Sequence, residues 1–504
     1  MNLSTHSLHA RKYTGLLGVF CLLASTSLRA DVKLPAIFGD HMVLQQEAKV
    51  PVWGTADAGE KVTVKAGDHT GTAIADAAGK WRIDLAPFAP NSAPITVTIA
   101  GHNTLKFDDV LIGEVWVASG QSNMEFAFAG VHDAAEEQPK ANDPQLRLFS
   151  VAKTASLTPL IDVQGTWLPC TPDSVRSFSG IAYFFGRDLR AKLKRPVGII
   201  GSYYGGTPAR SWISLSGLEK NPPFTQDVEL AKSHPDPLTR YTPTGLFDGM
   251  IAPLIPFAIK GVIWYQGEDN AVTSALAIEY RTLFPRLITD WHEKWGQGDF
   301  PFLFVQLAGF VRDDIGGAGG FDWPLLREAQ ANTLSLPNTG MVTAADIGAG
   351  TDIHPPDKLD VGKRLALDAR HVAYGEDLVY TGPTYDKMTV EGNAIRVSFT
   401  QIGGGLVIGS APWTTPALQP VPTTSLLGFT IAGADKKFVA TDAKIDGATV
   451  VVSSPQVPAP VAVRYYWNNL TQANLYNKEG LPAFPLRSDN WDDVPSPANP
   501  PVAR

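Results

Sequence analysis

Val115-Trp116-Val117-Ala118-Ser119-Gly120-Gln121-Ser122-Asn123-Met124-Glu125 is the stretch on which the reading of this chain turns. Its first five residues are mostly apolar and partly β-branched, which predicts a buried strand over Val115–Ser119. Gly120 breaks the run, and Ser122 stands just past the strand end. A serine there, two residues after a glycine, suits a tight turn that exposes its hydroxyl. Its backbone N–H is then placed to hold an oxyanion. Met124 stands where G-x-S-x-G has its second glycine, so this is a different turn. A loop serine alone is usually only a polar loop residue, so the rest of the chain has to decide.

Further strands are expected at Val197–Ser202, Gly261–Tyr265, Phe302–Leu307 and Met341–Ala345. Helical patterns lie between them. Phe178, Ile181, Ala182, Phe185, Leu189 and Leu193 fall near one helix face, as do Leu276, Tyr280, Leu283, Leu287, Trp291 and Trp295. A third helical pattern covers residues 358–373. Alternation of strand and helix over residues 111–374 predicts an α/β domain with a parallel sheet covered on both faces. Working residues in such sheets sit on loops after the strand C-termini.

Both flanks read differently. Residues 31–110 carry short alternating runs (Val50–Trp53, Lys61–Lys65, Trp81–Leu85, Ile95–Ile99) between Gly, Asp and Asn turns, which predicts a small sandwich. No cluster of His, Cys or carboxylates stands out there. Residues 375–504 return to short strands and Pro/Gly turns.

Residues 1–30 have the order of a secretory signal: Arg11 and Lys12, an apolar run from Gly15 to Ala24, then small residues to Ala30. Cleavage after Ala30 removes Arg11, Lys12 and Arg29 and no acids, so the formal charge goes from −8 to −8 − 3 = −11. That predicts export to the periplasm or outside the cell. An acidic surface repels nucleic acid and anionic lipid, and no further membrane span is expected. Of two cysteines only Cys170 would remain, so no intrachain disulfide is available.

Three more loops carry candidate chemistry. Thr351-Asp352-Ile353-His354-Pro355-Pro356-Asp357 follows the last predicted strand. A serine hydroxyl needs a base, histidine titrates nearest neutrality, and a nearby aspartate can hold the imidazole tautomer. Ser202-Tyr203-Tyr204-Gly205-Gly206-Thr207 offers glycine amides to a ligand. Trp264-Tyr265-Gln266-Gly267-Glu268-Asp269-Asn270 offers amide side chains.

The ordered blocks G-Q-S-N-M-E, Y-G-G-T, W-Y-Q-G-E and D-I-H-P-P-D-K resemble those of the SGNH (GDSL-like) hydrolase superfamily, in its sialate O-acetylesterase-like branch. The tail Asn474–Ala483 resembles the end of such enzymes. The resemblance implies a three-layer α/β/α domain with Ser122 as nucleophile, His354 as base and Asp352 orienting it. It implies an oxyanion hole from the Ser122 and Gly206 amides. The third donor is open between Gln266 and Asn270; Gln266 is favoured because it lies nearer the strand end. The Asp-x-His spacing departs from the commoner Asp-x-x-His. No metal or other cofactor is called for: there is no HExxH, paired CxxC or EF-hand loop.

Tyr203, Tyr204, Trp212 and Trp264 are candidate sugar-stacking rings, with Trp264 equally readable as core. Arg210 could meet a carboxylate or sugar hydroxyls. The substrate expected is an O-acetylated carbohydrate. The net charge tilts the reading to neutral hemicellulose (xylan or xyloglucan) over a sialate 9-O-acetyl ester. A glycosidase using Glu268 lacks a marked carboxylate partner. A non-catalytic glycan-binding protein would leave Ser122, His354 and Asp352 idle.

Overall fold

A computed structural model of the protein describes residues 31–220, 224–311, 322–409, 425–470 and 473–492. The expected signal at 1–30 lies outside them. The strand that delivers Ser122 is far longer than predicted, running Thr104–Gly120. Its first half pairs antiparallel with Asn91–Ala100 in the N-terminal β region; Leu111–Gly113 pair parallel with Val43–Gln45. Its second half pairs parallel with Val197–Tyr203 and Gly261–Tyr265. Asp109, in the left-handed region at φ 55°, stands just before the change of partners. Its carboxylate is held by Arg147 at 2.9 Å and His41 at 2.7 Å. The 110/111 boundary expected from the sequence therefore falls inside one continuous strand, and one apolar cluster runs through both parts.

The parallel part of the sheet has the order Thr339–Thr343, Phe302–Gln306, Gly261–Tyr265, Thr104–Gly120, Val197–Tyr203, Asp143–Ser150. Trp167–Cys170 adds an antiparallel edge. Those last two strands were not foreseen: Pro144 and Arg147 interrupt the first, and the second is four residues long.

Side-chain alternation shows how the sheet is covered. Trp116 meets Phe185 of the helix Gly180–Leu193. Trp264 is in register with Ser119, hence on the other face, and packs on Phe284 and Trp291 of the helix Ser274–Trp295. Helix Leu359–Val372 joins the first helix and Trp323–Asn332 the second, which gives three layers. Among the described residues no helix is long and apolar enough to cross a membrane.

The C-terminal region has its own sheets, 384–391/394–400/449–453/442–446 and 439–440/429–432/462–465/486–487, and its own apolar cluster. In the N-terminal region the fold does gather Asp57, Glu60 and His102. Glu60 spends its carboxylate on the backbone N–H groups of Asp57 and His102, at 3.0 and 2.5 Å, so the cluster closes a turn.

Candidate active site

The central strand stops at the sheet's switch point, with predicted loops on both sides of it. Gly120 has φ 131°, and a Cβ there would lie 2.2 Å from the Tyr265 carbonyl oxygen. Only glycine lets the neighbouring strand end come so close. The same carbonyl accepts the Gln121 N–H at 3.0 Å, and Gly120 accepts from Tyr204 at 3.1 Å. A single helical turn, Ser122–Glu125, follows.

His354 arrives from the far edge of the sheet. Its Nε2 lies 2.8 Å from Ser122 Oγ across 232 positions of sequence. Burial and the Lys358 ammonium push the imidazole pKa below its ordinary value, opposed by Asp352 and Glu125. The ring is therefore largely neutral near pH 7, as a base must be. Asp352 lies 3.8 Å from Nδ1, beyond hydrogen-bond range, and its carboxylate accepts the His354 backbone N–H at 2.8 Å. It braces the turn and acts on the ring through its charge.

Asn123, beside the nucleophile, ties three blocks together. Its Nδ2 donates to Glu268 Oε1 at 2.5 Å and to the Ile353 carbonyl at 2.9 Å. Its Oδ1 accepts from Lys358 Nζ at 2.5 Å. Burial raises the Glu268 carboxyl and brings the Lys358 ammonium down to about 7, while the mutual attraction of the two opposes both shifts. Glu268 thus has a buried structural duty.

The oxyanion donors can be sorted by hydrogen-bond accounting. Gly205 N–H is committed to Glu125 Oε2 at 2.6 Å. Gly206 follows at φ 63°. Gln266 is spoken for: Nε2 donates to the Thr207 carbonyl at 3.1 Å and Asn270 Oδ1 at 2.7 Å, and Oε1 accepts from Tyr280 at 2.9 Å. Asn270 Oδ1 also accepts the Ala209 backbone N–H at 3.0 Å. A backbone N–H can only donate, so the amide cannot be flipped. Asn270 Nδ2 is left buried without a hydrogen-bond partner. Of the two amides the sequence left open, Gln266, the one favoured, has its side chain spent in the core, and Asn270 has a donor without a partner among the described residues.

Of the three expected substrate contacts, Trp212 and Arg210 are engaged within the protein. Trp212 is wholly buried; its Nε1 donates to Thr207 Oγ1 at 2.9 Å and its ring meets Trp264 edge-on. Trp264 is core as well. Arg210 is bound to Asp227 at 2.8 Å and Glu279 at 3.0 Å. Tyr204 does lie beside the glycine loop, flanked by Lys153 at 5.0 Å and Arg240 at 5.9 Å from its ring centre. Lys153 pairs with Glu125. Arg240 was not found by sequence reasoning. It sits in the long stretch between Tyr203 and Gly261, strand-free among the described residues and outside the motif blocks, and nothing local marks it.

The family profile described as carbohydrate esterase, sialic acid-specific acetylesterase, matches residues 112–370. Sialate O-acetylesterase of Mus musculus is 32% identical over 434 residues, covering 73% of this chain and 79% of that one. The Homo sapiens protein of the same name is 31% identical over 418 residues, covering 74% and 77%. The crystal structure of a carbohydrate acetylesterase from Xanthomonas citri is 39% identical with a TM-score of 0.81, covering 92% of this chain and all of that one.

Proposed function

The chain belongs to the sialic acid-specific acetylesterase family of carbohydrate esterases, and we propose that it cleaves its acetyl esters with Ser122 as nucleophile and His354 as base. It is a carboxylic ester hydrolase acting on O-acetylated carbohydrate. The observation that carries the residue assignment is the 2.8 Å approach of His354 Nε2 to Ser122 Oγ.

His354 takes the Ser122 proton as Oγ attacks the acetyl carbonyl. The oxyanion is met by the Ser122 and Gly206 amides and by Asn270 Nδ2, the donor left unpartnered. The sugar alcohol leaves with the proton from His354. Water, deprotonated by His354, then releases acetate and restores Ser122. Asp352 holds the loop and stabilises the imidazolium at a distance. Every step is carried by groups of this chain.

For the substrate, acetylated hemicellulose (xylan or xyloglucan) is supported by the −11 charge remaining once residues 1–30 are cleaved as a signal for export. Sialate 9-O-acetyl esters form the second reading, supported by the names of the relatives and by the Arg240 guanidinium near the glycine loop. Acetate release from both, with p-nitrophenyl acetate as common reference and Ser122→Ala as control, tests all of this. Turnover retained by Ser122→Ala would overturn the nucleophile. Release from sialate alone would overturn hemicellulose. An N-terminus at Asp31 in exported protein would support cleavage after Ala30.

A further inference from the structure

The aromatic and cationic residues gathered beside the Gly205–Gly206 loop differ from those the motifs suggest. Arg210 is bound to two carboxylates and Trp212 is sealed in the core. Arg240 is placed otherwise. Its Nε donates to the Gly206 carbonyl at 3.0 Å, which sets the side chain against the oxyanion loop. Its Nη2 donates to the Tyr241 hydroxyl at 2.7 Å. The guanidinium carbon lies 4.8 Å from the Tyr241 ring centre and 5.9 Å from that of Tyr204.

Both of those hydrogen bonds go to neutral oxygens, so they leave the positive charge unneutralised. A guanidinium has five N–H donors in a fixed fork. The bonds to Gly206 and Tyr241 take two of them. Burial raises the nearby Asp269 carboxyl, while Arg240 and Arg210 pull it down. Tyr241 is 47% exposed, an unusual state for a ring held at its hydroxyl. The arrangement sets two rings beside the Arg240 guanidinium, against the loop that would hold the oxyanion.

We propose that Arg240 and Tyr241, with Tyr204, form the sugar-binding subsite of this esterase. With the guanidinium on one face of the Tyr241 ring, the other face of this half-exposed ring takes the apolar C–H face of a pyranose. The guanidinium takes two oxygens on one side of that sugar, either vicinal hydroxyls of a neutral residue or the carboxylate of an acidic one. This rests on the reading of Ser122 as nucleophile, since the subsite is placed relative to it.

The experiment compares kcat/KM on acetylated xyloglucan, on a 9-O-acetylated sialoside and on p-nitrophenyl acetate, which has no sugar to hold. Arg240→Ala is expected to cost the glycan substrate about 10- to 100-fold more than the aryl ester, chiefly in KM. Because Arg240 also props Gly206, the ratio between substrates is the readout. Tyr241→Ala, which leaves the Gly206 contact in place, is expected to lower the same ratio by a smaller factor. Arg240→Gln separates the two sources. A neutral hydroxyl pair keeps part of the ratio with Gln, whereas a carboxylate loses as much as with Ala. A ratio equal to wild type in both Arg240→Ala and Tyr241→Ala overturns the subsite. If that result comes with an inactive Ser122→Ala, the nucleophile stands and only this inference fails. Aryl esterase activity surviving in Ser122→Ala would strike the underlying reading instead.

Discussion

The N-terminal β region and the C-terminal one meet the catalytic sheet by different means. The first shares a strand with it: Thr104–Gly120 begins in one sheet and ends under Ser122. Buried Gln45 and Gln46 amides hold Glu114 at 3.1 and 2.6 Å in the middle of that strand. The second keeps separate sheets and reaches the catalytic loops with side chains. Tyr466 donates to the Ala345 carbonyl at 2.7 Å, and Tyr476 donates to Asp346 at 3.1 Å. Asp346 is also gripped by Arg364 at 2.7 and 2.8 Å. Arg327, wholly buried, donates to the Asn468 carbonyl at 2.9 Å. The contacts to Ala345 and Asp346 hold the segment that leads to His354. Backbone pairing thus delivers Ser122, and the C-terminal region adds a side-chain brace at Ala345 and Asp346 on the way to His354. Backbone pairing fails only with the fold, whereas a brace can loosen while the sheet stays intact.

The comparison can be tested at graded strength. At the top, Ser122→Ala and His354→Ala should each lower kcat by about 10⁴-fold or more, and the double variant little further, because the two act as a unit. Additive losses in steady-state kinetics would mean that the two arms work separately. Next, Asn270→Ala should lower kcat about 100- to 1000-fold, as loss of one oxyanion donor does. Gln266→Ala should instead show its effect mainly in thermal unfolding, since its amide is used internally. The opposite pattern would return the donor role to Gln266.

The third test sets the two attachments against each other. Ile99→Ala, in the N-terminal core, should destabilise by about 2–5 kcal/mol with kcat per folded molecule unchanged. Asp346→Ala leaves Arg364 buried without its partner and should cost about 3–5 kcal/mol. It should also lower kcat, by way of the His354 loop. Denaturant titration paired with active-site counting measures both. Equal kcat behaviour in the two variants would erase the distinction.

The smallest effects are in pH. The acidic limb of kcat/KM should lie below the ordinary histidine value, because burial and Lys358 disfavour the imidazolium. Lys358→Met removes a charge that lowers the His354 pKa, so the limb should move to higher pH. Asp352→Asn removes one that raises it, so the limb should move to lower pH. Shifts in the same direction in the two rate profiles would contradict this electrostatic account.

Local sequence carried a great deal. Val115–Ser119, Gly120 and Ser122 announce a buried strand and its turn because hydrophobic runs and glycine act over a few residues. The same holds for the strands before Tyr203 and Gln266 and for the helix after His354. Ser122, Gly206 and His354 were legible as candidates for that reason. What remained hidden depended on partners distant in sequence. Nothing near Gln266 says that Tyr280 and Thr207 will take its amide, and nothing near Asn270 says that its Nδ2 will be spared. Arg210 and Arg240 look alike in the chain; carboxylates from elsewhere neutralise the first and leave the second facing the glycine loop. The continuity of Thr104–Gly120 across two sheets was invisible because the early half alternates and the later half does not. Local residue order marked most of the strands, helices and turns around the site, since backbone preference and apolar period act over a few residues, though not the strands Asp143–Ser150 and Trp167–Cys170. Which polar groups remain free to act was decided only by tertiary structure, because hydrogen bonds and ion pairs are allotted among residues that meet only when the chain is folded.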